Sequence, residues 1–369
     1  MVRFIHTADL HLGKRFGQFS EGLRGRLTEA RHQSLVTISN LARTHEVDFI
    51  LVAGDVFDTG TPSPSVIRQA MQAMGAHSET KWVIIPGNHD SLSADELWKQ
   101  VANDQPKNVL LALESKPIEI APATFVLPAP CLNRRPGRDL TEWMSDADIE
   151  GEGIRIGLAH GAVQSFGEDG ASEIIAPDRA QQSGLDYLAL GDWHGQISIN
   201  ERTWYSGTPE PDRFKHSEPG KILLVEIEGS GATPDVQPLE TGSFNWQKKT
   251  MDILAGEDVS KQLENTLPEI SLRRRTLIQI AAAGRIRIPD RLLLDEAISK
   301  VEPDFAFFEM KSEALANEYE ISDLDTIDQV GALRQTAESL MREAEADPDP
   351  HGVSASALSL LYTFTAEEA

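Results

Sequence analysis

Five short polar stretches carry side chains able to bind divalent ions: DLH at 9–11, GDVFD at 54–58, GNHD at 87–90, AHG at 159–161 and GDWH at 191–194. They offer Asp9 and His11, Asp55 and Asp58, Asn88, His89 and Asp90, His160, and Asp192 and His194. Oxygen and imidazole donors of this kind suit hard or borderline ions. Two such ions about 3.5–4 Å apart clamp a phosphate oxygen, orient the attacking water and lower its pKa toward roughly 7. The pair needs one shared carboxylate, and Asp55 is the natural bridge. A single Asp-x-His pair is commonplace in solvated loops. These five are set apart because each directly follows an apolar run, in order along the chain. The lone Cys131 excludes an internal disulfide and a cysteine-rich zinc site, so any metal is held by His, Asp, Glu or Asn.

The apolar runs that must position these groups read as strands: 2–8, 48–54, 81–87, 153–159 and 185–191. In layered α/β folds the carboxyl ends of strands are where loops converge and ligands bind, so five segments aim at one place. Residues 22–43 and 62–76 read as helices; in the first, Leu23, Leu27, Ala30, Leu35, Ile38 and Leu41 share one face. Residues 115–130, WYSG and 221–229 read as further strands. The Gly/Pro/Thr-rich stretch 229–246 marks a boundary. This places a phosphoesterase-like domain over 1–230, a small β-α-β-α-β unit over 247–312 and a helical tail over 321–369. The tail's apolar end, 353–364, calls for docking on the chain itself or on a partner.

With 369 residues, the chain is long enough for two domains. The first residues lack the features of a signal peptide and no apolar run reaches eighteen residues, so a cytoplasmic protein without a membrane span is expected. The formal charge of −24 repels polyanions at long range, which argues against a DNA-binding role for the chain alone. Bound divalent ions reverse the local sign, and a partner can supply a basic groove.

The motif series resembles the calcineurin-like metallophosphoesterases. The wording HTADLHLGK, VAGDVFDTGTPSP, GNHDS and YSGTPEPDRF is similar to the SbcD family of DNA-repair exonuclease subunits, over about residues 1–228. The resemblance implies an α/β fold with a layered β-sandwich core flanked by helices, followed by a smaller α+β capping domain. It implies two manganese ions, action on DNA ends, a homodimer and a coiled-coil ABC-type ATPase partner of the SbcC kind. Carried over, one ion is held by Asp9, His11, Asp55 and His194, and the second by Asp55, Asn88, His160 and Asp192. His89 matches the histidine that protonates or orients the leaving oxygen. Asp90 orients His89 or its loop, and Asp58 supports the ligands or caps a turn. Tyr205, Ser206 and Thr208 match a loop that contacts substrate, with a plain strand-to-turn reading beside it. Position 192 departs from the family, which has histidine there in a GHxH motif; the aspartate favours a hard ion and has a shorter reach.

The basic runs 272–275 and 133–138 read as phosphate contacts or as solvated surface. His6 and His216 read as structural. The sequence therefore points to a metal-dependent DNA phosphodiesterase. The rivals are a small-molecule phosphodiesterase or phosphatase on the same fold, and a weakly active scaffold subunit for an ATPase.

Overall fold

The computed structural model describes all residues except 150, 164–174, 216, 255, 319, 348, 350, 351 and 369, so His216 lies outside the described residues. The chain divides into two units, Met1–Asn245 and Trp246–Ala369. In the first, β1 (Val2–Thr7), α1 (Glu21–Thr44), β2 (Phe49–Ala53), α2 (Pro64–Gly75), β3 (Lys81–Ile85), α3 (Asp95–Asp104) and β4 (Val109–Leu111) alternate strand and helix. Then come β5 (Ile118–Ala121), β6 (Thr124–Ala129), β7 (Ile154–His160), the short α4 (Arg179–Gln182), β8 (Tyr187–Gly191), β9 (Ile197–Asn200), β10 (Thr203–Tyr205), β11 (Lys221–Ile227) and β12 (Asp235–Glu240).

These strands build two six-stranded sheets, in the orders β12-β11-β1-β2-β3-β4 and β5-β6-β7-β8-β10-β9. Strands β1 to β4 run parallel, as do β6, β7 and β8, so their carboxyl ends share an edge. Side chains alternate across a strand. Accordingly, Phe49, Leu51 and Ala53 of β2 join Val126, Ile156, Leu158 and Leu223 between the sheets. Ile50 and Val52 face the other way, onto Leu35 and Ile38 of α1 and Met71 and Met74 of α2. Burial on both faces explains why β2 reads as an unbroken apolar run. The expected sandwich core flanked by helices is the architecture found.

The stretch 229–246, read as a boundary, carries β12 at the edge of the first sheet, antiparallel to β11. An edge strand tolerates Pro238 and turns most of its side chains to solvent, which is why it lacks apolar periodicity. Helix α3 was also hidden: only Leu97, Trp98 and Val101 are buried on its ten residues.

The second unit contains β13 (Asn245–Ile253, whose first residue closes the first unit), α5 (Val259–Thr266), α6 (Ile270–Arg273), β14 (Thr276–Arg287), α7 (Ile288–Val301) and β15 (Phe307–Glu318). Its sheet has the order β13-β14-β15, with β14 and β15 parallel. The tail forms α8 (Ala332–Ala346) and α9 (Val353–Glu368). Ala337, Met341, Leu358 and Tyr362 pack with Ile288 of α7, so the tail docks on its own unit. Among the described residues no helix is long and apolar enough to cross a membrane.

Candidate metal centre

The loops after β1 and β2 are zipped together by backbone bonds from Asp9 N to Gly54 O (3.1 Å), His11 N to Asp55 O (3.0 Å) and Asp58 N to Leu12 O (3.0 Å). The turns are tight enough that Asp9, His11, Asp55 and Asp192 adopt positive φ (55°, 42°, 54° and 99°). Non-glycine residues in that region cost about 1–3 kcal/mol each and persist where the surrounding structure imposes them. Four of the ligand positions are therefore strained, and the sandwich beneath supplies the constraint. Close packing continues at two glycines. A Cβ on Gly87 would stand 2.2 Å from Asp55 Oδ1, and one on Gly191 would stand 2.0 Å from Ala53 O.

Two donor sets meet at Asp55. On one side His11 Nε2 lies 3.6 Å from Asp55 Oδ2, 3.9 Å from Asp9 Oδ1 and 3.1 Å from His194 Nε2. On the other, His160 Nε2 lies 3.5 Å from the same Asp55 oxygen and 3.7 Å from Asp192 Oδ1. Asn88 reaches Asp192 Oδ1 through Nδ2 at 2.8 Å. Asp55 Oδ1 accepts from His89 N at 2.9 Å, which fixes the carboxylate plane. Ligands about 2.1 Å from one ion sit about 3 Å apart when adjacent and farther when opposite, so these separations fit a bound ion on each side.

Buried His160 Nε2 and Asn88 Oδ1 have no hydrogen-bond partner, an expensive arrangement unless something else occupies them. The far nitrogen of each histidine is set from behind. His160 Nδ1 donates to Ala53 O at 2.8 Å; His194 Nδ1 lies 3.2 Å from Asp212 Oδ1, and His11 Nδ1 lies 3.3 Å from Asp58 Oδ1. A partner on Nδ1 leaves Nε2 as the ligating atom and makes it more basic. All seven ligand candidates are therefore brought together.

Electrostatics point the same way. Burial pushes the Asp9 carboxyl up to about 6, against the charges of His194 and His160. Burial lowers His11 to about 4. It would lower His160 too, yet Asp55, Asp9 and Asp192 together outweigh it and raise that imidazole to about 9. Without an ion, a protonated His160 supplies the positive charge that the carboxylates demand.

The neighbouring residues divide. His89 Nδ1 donates to Asp58 O at 2.8 Å, leaving Nε2 of a half-buried ring without a hydrogen-bond partner among the described residues. Burial would raise the Asp58 carboxyl, but its hydrogen bond with His11 and the charge of Lys14 bring it down to about 2. Asp58 thus serves His11 through its side chain and His89 through its carbonyl. Asp90 does not touch His89. Its two oxygens accept from Gly87 N (2.7 Å) and Phe57 N (3.0 Å), so it ties the second and third loops together. Burial and the nearby Asp55 push its carboxyl up to about 7.

Tyr205, Ser206 and Thr208 are buried, and their hydroxyls bond to their own chain. Tyr205 Oη donates to Gly161 O (2.7 Å) and accepts from Val163 N (3.0 Å); Thr208 Oγ1 lies 2.8 Å from Asp9 O. Ser206 Oγ donates to Gly207 O at 3.0 Å. The loop reading fits these three better than substrate contact. His6 is likewise structural, held by Tyr187 Oη and Leu190 O. In the 272–275 run Arg273 is buried against Glu264, which removes it from any phosphate surface.

Two residues escaped the sequence reading. Asp212 is buried behind His194, 2.8 Å from Lys14 Nζ, 2.9 Å from Arg213 Nε and 3.5 Å from Arg31 Nη2. Burial would raise its carboxyl, but His194 and Arg31 hold it far below the usual carboxylate range. Arg31 is buried inside the apolar face of α1 and donates to Leu10 O at 2.7 Å. Its signal was there to find: a charge four residues from both Leu27 and Leu35 falls on the core stripe of its helix.

Residues 2–196 match the family described as calcineurin-like phosphoesterase. The SbcD component of the SbcCD nuclease of Escherichia coli (strain K12) is 41% identical over 100 residues, 25% of this chain and 22% of that one. The chain therefore aligns with under a quarter of that relative's length. The corresponding SbcD component of Rhodobacter capsulatus is 26% identical over 346 residues, covering 79% of this chain and 77% of its own. An uncharacterized metallophosphoesterase of Bacillus subtilis (strain 168), YhaO, is 24% identical over 297 residues, covering 73% and 68%. The family match spans more than half of the 369 residues and includes all five ligand-bearing loops, and the protein belongs to the calcineurin-like phosphoesterase family.

Proposed function

We propose that the protein is a metal-dependent DNA phosphodiesterase, an exonuclease or end-processing nuclease subunit acting in the cytoplasm as a homodimer. The observation that carries the reading is Asp55: one of its carboxylate oxygens lies within 3.6 Å of a histidine from each of two buried donor sets. Asp9, His11, Asp55 and His194 would hold one divalent ion; Asp55, Asn88, His160 and Asp192 would hold the other, with Mn2+ the best match to this oxygen-rich set. Such ions clamp a phosphodiester and activate water for in-line attack. His89, half-buried and anchored by Asp58 O, is the group available to protonate the departing sugar oxygen. The choice of DNA rests on the SbcD relatives, and with it the expectation of a coiled-coil ABC-type ATPase partner that gathers DNA ends. A partner of that kind also answers the charge of −24.

That same charge favours a second reading, a phosphodiesterase of small substrates. Incubating the purified protein with Mn2+ and linear duplex DNA, single-stranded DNA or a chromogenic phosphodiester separates the two. Nucleotide release that disappears in His89→Ala is expected. Turnover of the small ester alone supports the second reading, and no turnover of any substrate, with or without an ATPase partner, removes both.

A further inference from the structure

Beside His160, Asn88 and Asp192 the surface opens into a cleft of about 140 Å3 whose opposite wall includes Cys131, Arg134 and Arg138. The wall is fixed relative to the ligands. Cys131 N donates to Pro86 O at 3.1 Å and Leu92 N donates to Cys131 O at 2.9 Å, so the arginine loop starts from the loop that carries Asn88 and His89. An Asn133 turn, with Arg135 N on Asn133 Oδ1 at 2.9 Å, then shapes it.

Both arginines are exposed, and neither has a carboxylate partner among the described residues. This is unusual in a chain with 58 acidic against 34 basic residues, where Arg3, Arg31, Arg179, Arg202, Arg273, Arg287 and Arg334 all find one. The acid next in sequence, Asp139, cannot neutralise Arg138: its carboxylate holds Arg179 Nη2 at 2.8 Å and Thr141 N at 2.8 Å. Two uncompensated guanidinium groups thus face an anionic site across one cleft. Guanidinium donors match phosphate in pairs of hydrogen bonds.

We propose that Arg134 and Arg138 form a second anion subsite that holds the phosphate adjoining the scissile one, so that the site selects a polynucleotide strand over an isolated diester. The inference rests on the phosphodiesterase reading above and names its substrate determinant. It requires a substrate with at least two phosphates in a row, which a nucleic acid supplies and a simple diester does not.

The test compares wild type, Arg134→Gln/Arg138→Gln and Lys81→Gln/Lys107→Gln, the last removing two charges at the amino ends of β3 and β4, away from the ligand loops. Binding of a fluorescein-labelled twelve-nucleotide single strand is followed by anisotropy in Ca2+. Turnover of the same strand and of bis(p-nitrophenyl) phosphate is followed in Mn2+. In the arginine variant Kd for the strand rises about tenfold or more, and the slope of log Kd against log salt falls by roughly 1.4, two phosphates at about 0.7 each. Its kcat/KM on bis(p-nitrophenyl) phosphate stays at the wild-type value, and the lysine variant binds the strand as wild type does. Equal Kd in wild type and arginine variant overturns the subsite, as does equal weakening in the lysine variant or equal loss on both substrates. Absence of wild-type turnover on every substrate removes the phosphodiesterase reading instead, and the binding comparison still decides the subsite.

Discussion

Asp212→Asn separates what holds the fold from what tunes the metal centre. Arg31 Nη2 and Asp212 Oδ2 are 3.5 Å apart and both side chains are buried. At an effective dielectric near 20, that separation corresponds to about 5 kcal/mol of attraction. The substitution leaves Arg31 with its bond to Leu10 O but no charged partner so close, and breaking a buried pair this way costs about 3–5 kcal/mol. For a unit of this size each kcal/mol lowers Tm by roughly 2–4 °C, so the main transition should fall by about 10 °C. Mn2+ affinity should fall as well, by about tenfold, because the amide still accepts from His194 Nδ1 but no longer makes the ring more basic. Adding Arg31→Met removes the stranded charge. The double variant should recover most of the Tm in calorimetry while its Mn2+ affinity, measured by titration calorimetry, stays low. Recovery of both together would refute the assignment of Asp212 to His194, and an unchanged Tm in Asp212→Asn alone would refute the buried-pair argument.

Metal-free protein should lose thermal stability between pH 6.5 and 9: with its pKa raised to about 9, His160 contributes fully below the ordinary 6.5 and loses its contribution as pH rises through 9. Bound ions replace that proton, so a melting series with chelator should slope downward and one with Mn2+ should not; a flat chelator series sinks the argument. Tyr205→Phe should cost about 1–3 kcal/mol by stranding Gly161 O and Val163 N, with KM unchanged, whereas a raised KM at wild-type stability would restore Tyr205 as a substrate contact. Gly87→Ala drives a methyl into Asp55 and should abolish stoichiometric Mn2+ uptake, checked by elemental analysis on protein whose circular dichroism is unaltered; full uptake contradicts the packing. Asp192→His should shift preference from Mn2+ toward Zn2+ by roughly tenfold in a competition assay, since imidazole suits the softer ion; no shift means position 192 does not ligate.

The ligand-bearing strands were legible because burial on both faces writes them as apolar runs, and the ligands were legible because each sits at the end of such a run. What failed to show depends on contacts between distant segments. Asp212 follows a proline in a turn and acquires its role only when β1, α1 and the 206–212 loop meet. Tyr205 sits in a motif whose wording suggests contact with substrate, yet its hydroxyl is captured by the turn after β7. Asp90 carries a metal-capable side chain, and two backbone amides claim it first. Edge strand β12 follows the same logic: a strand with one neighbour and an exposed face has no apolar pattern to display.

The acid at 192 connects the metal centre to the arginine loop. Two divalent ions set against Asp9, Asp55 and Asp192 leave one positive charge, whereas a histidine at 192 would leave two. A phosphodiester anion is then attracted less strongly by the centre itself, on a chain whose overall charge already opposes it. Cations outside the ligand set must supply the difference, and the cleft that Asp192 lines also contains Arg134 and Arg138. The two departures from expectation are therefore one arrangement: an aspartate that holds a hard ion more firmly, and arginines without carboxylate partners that return the positive charge where a second phosphate would lie.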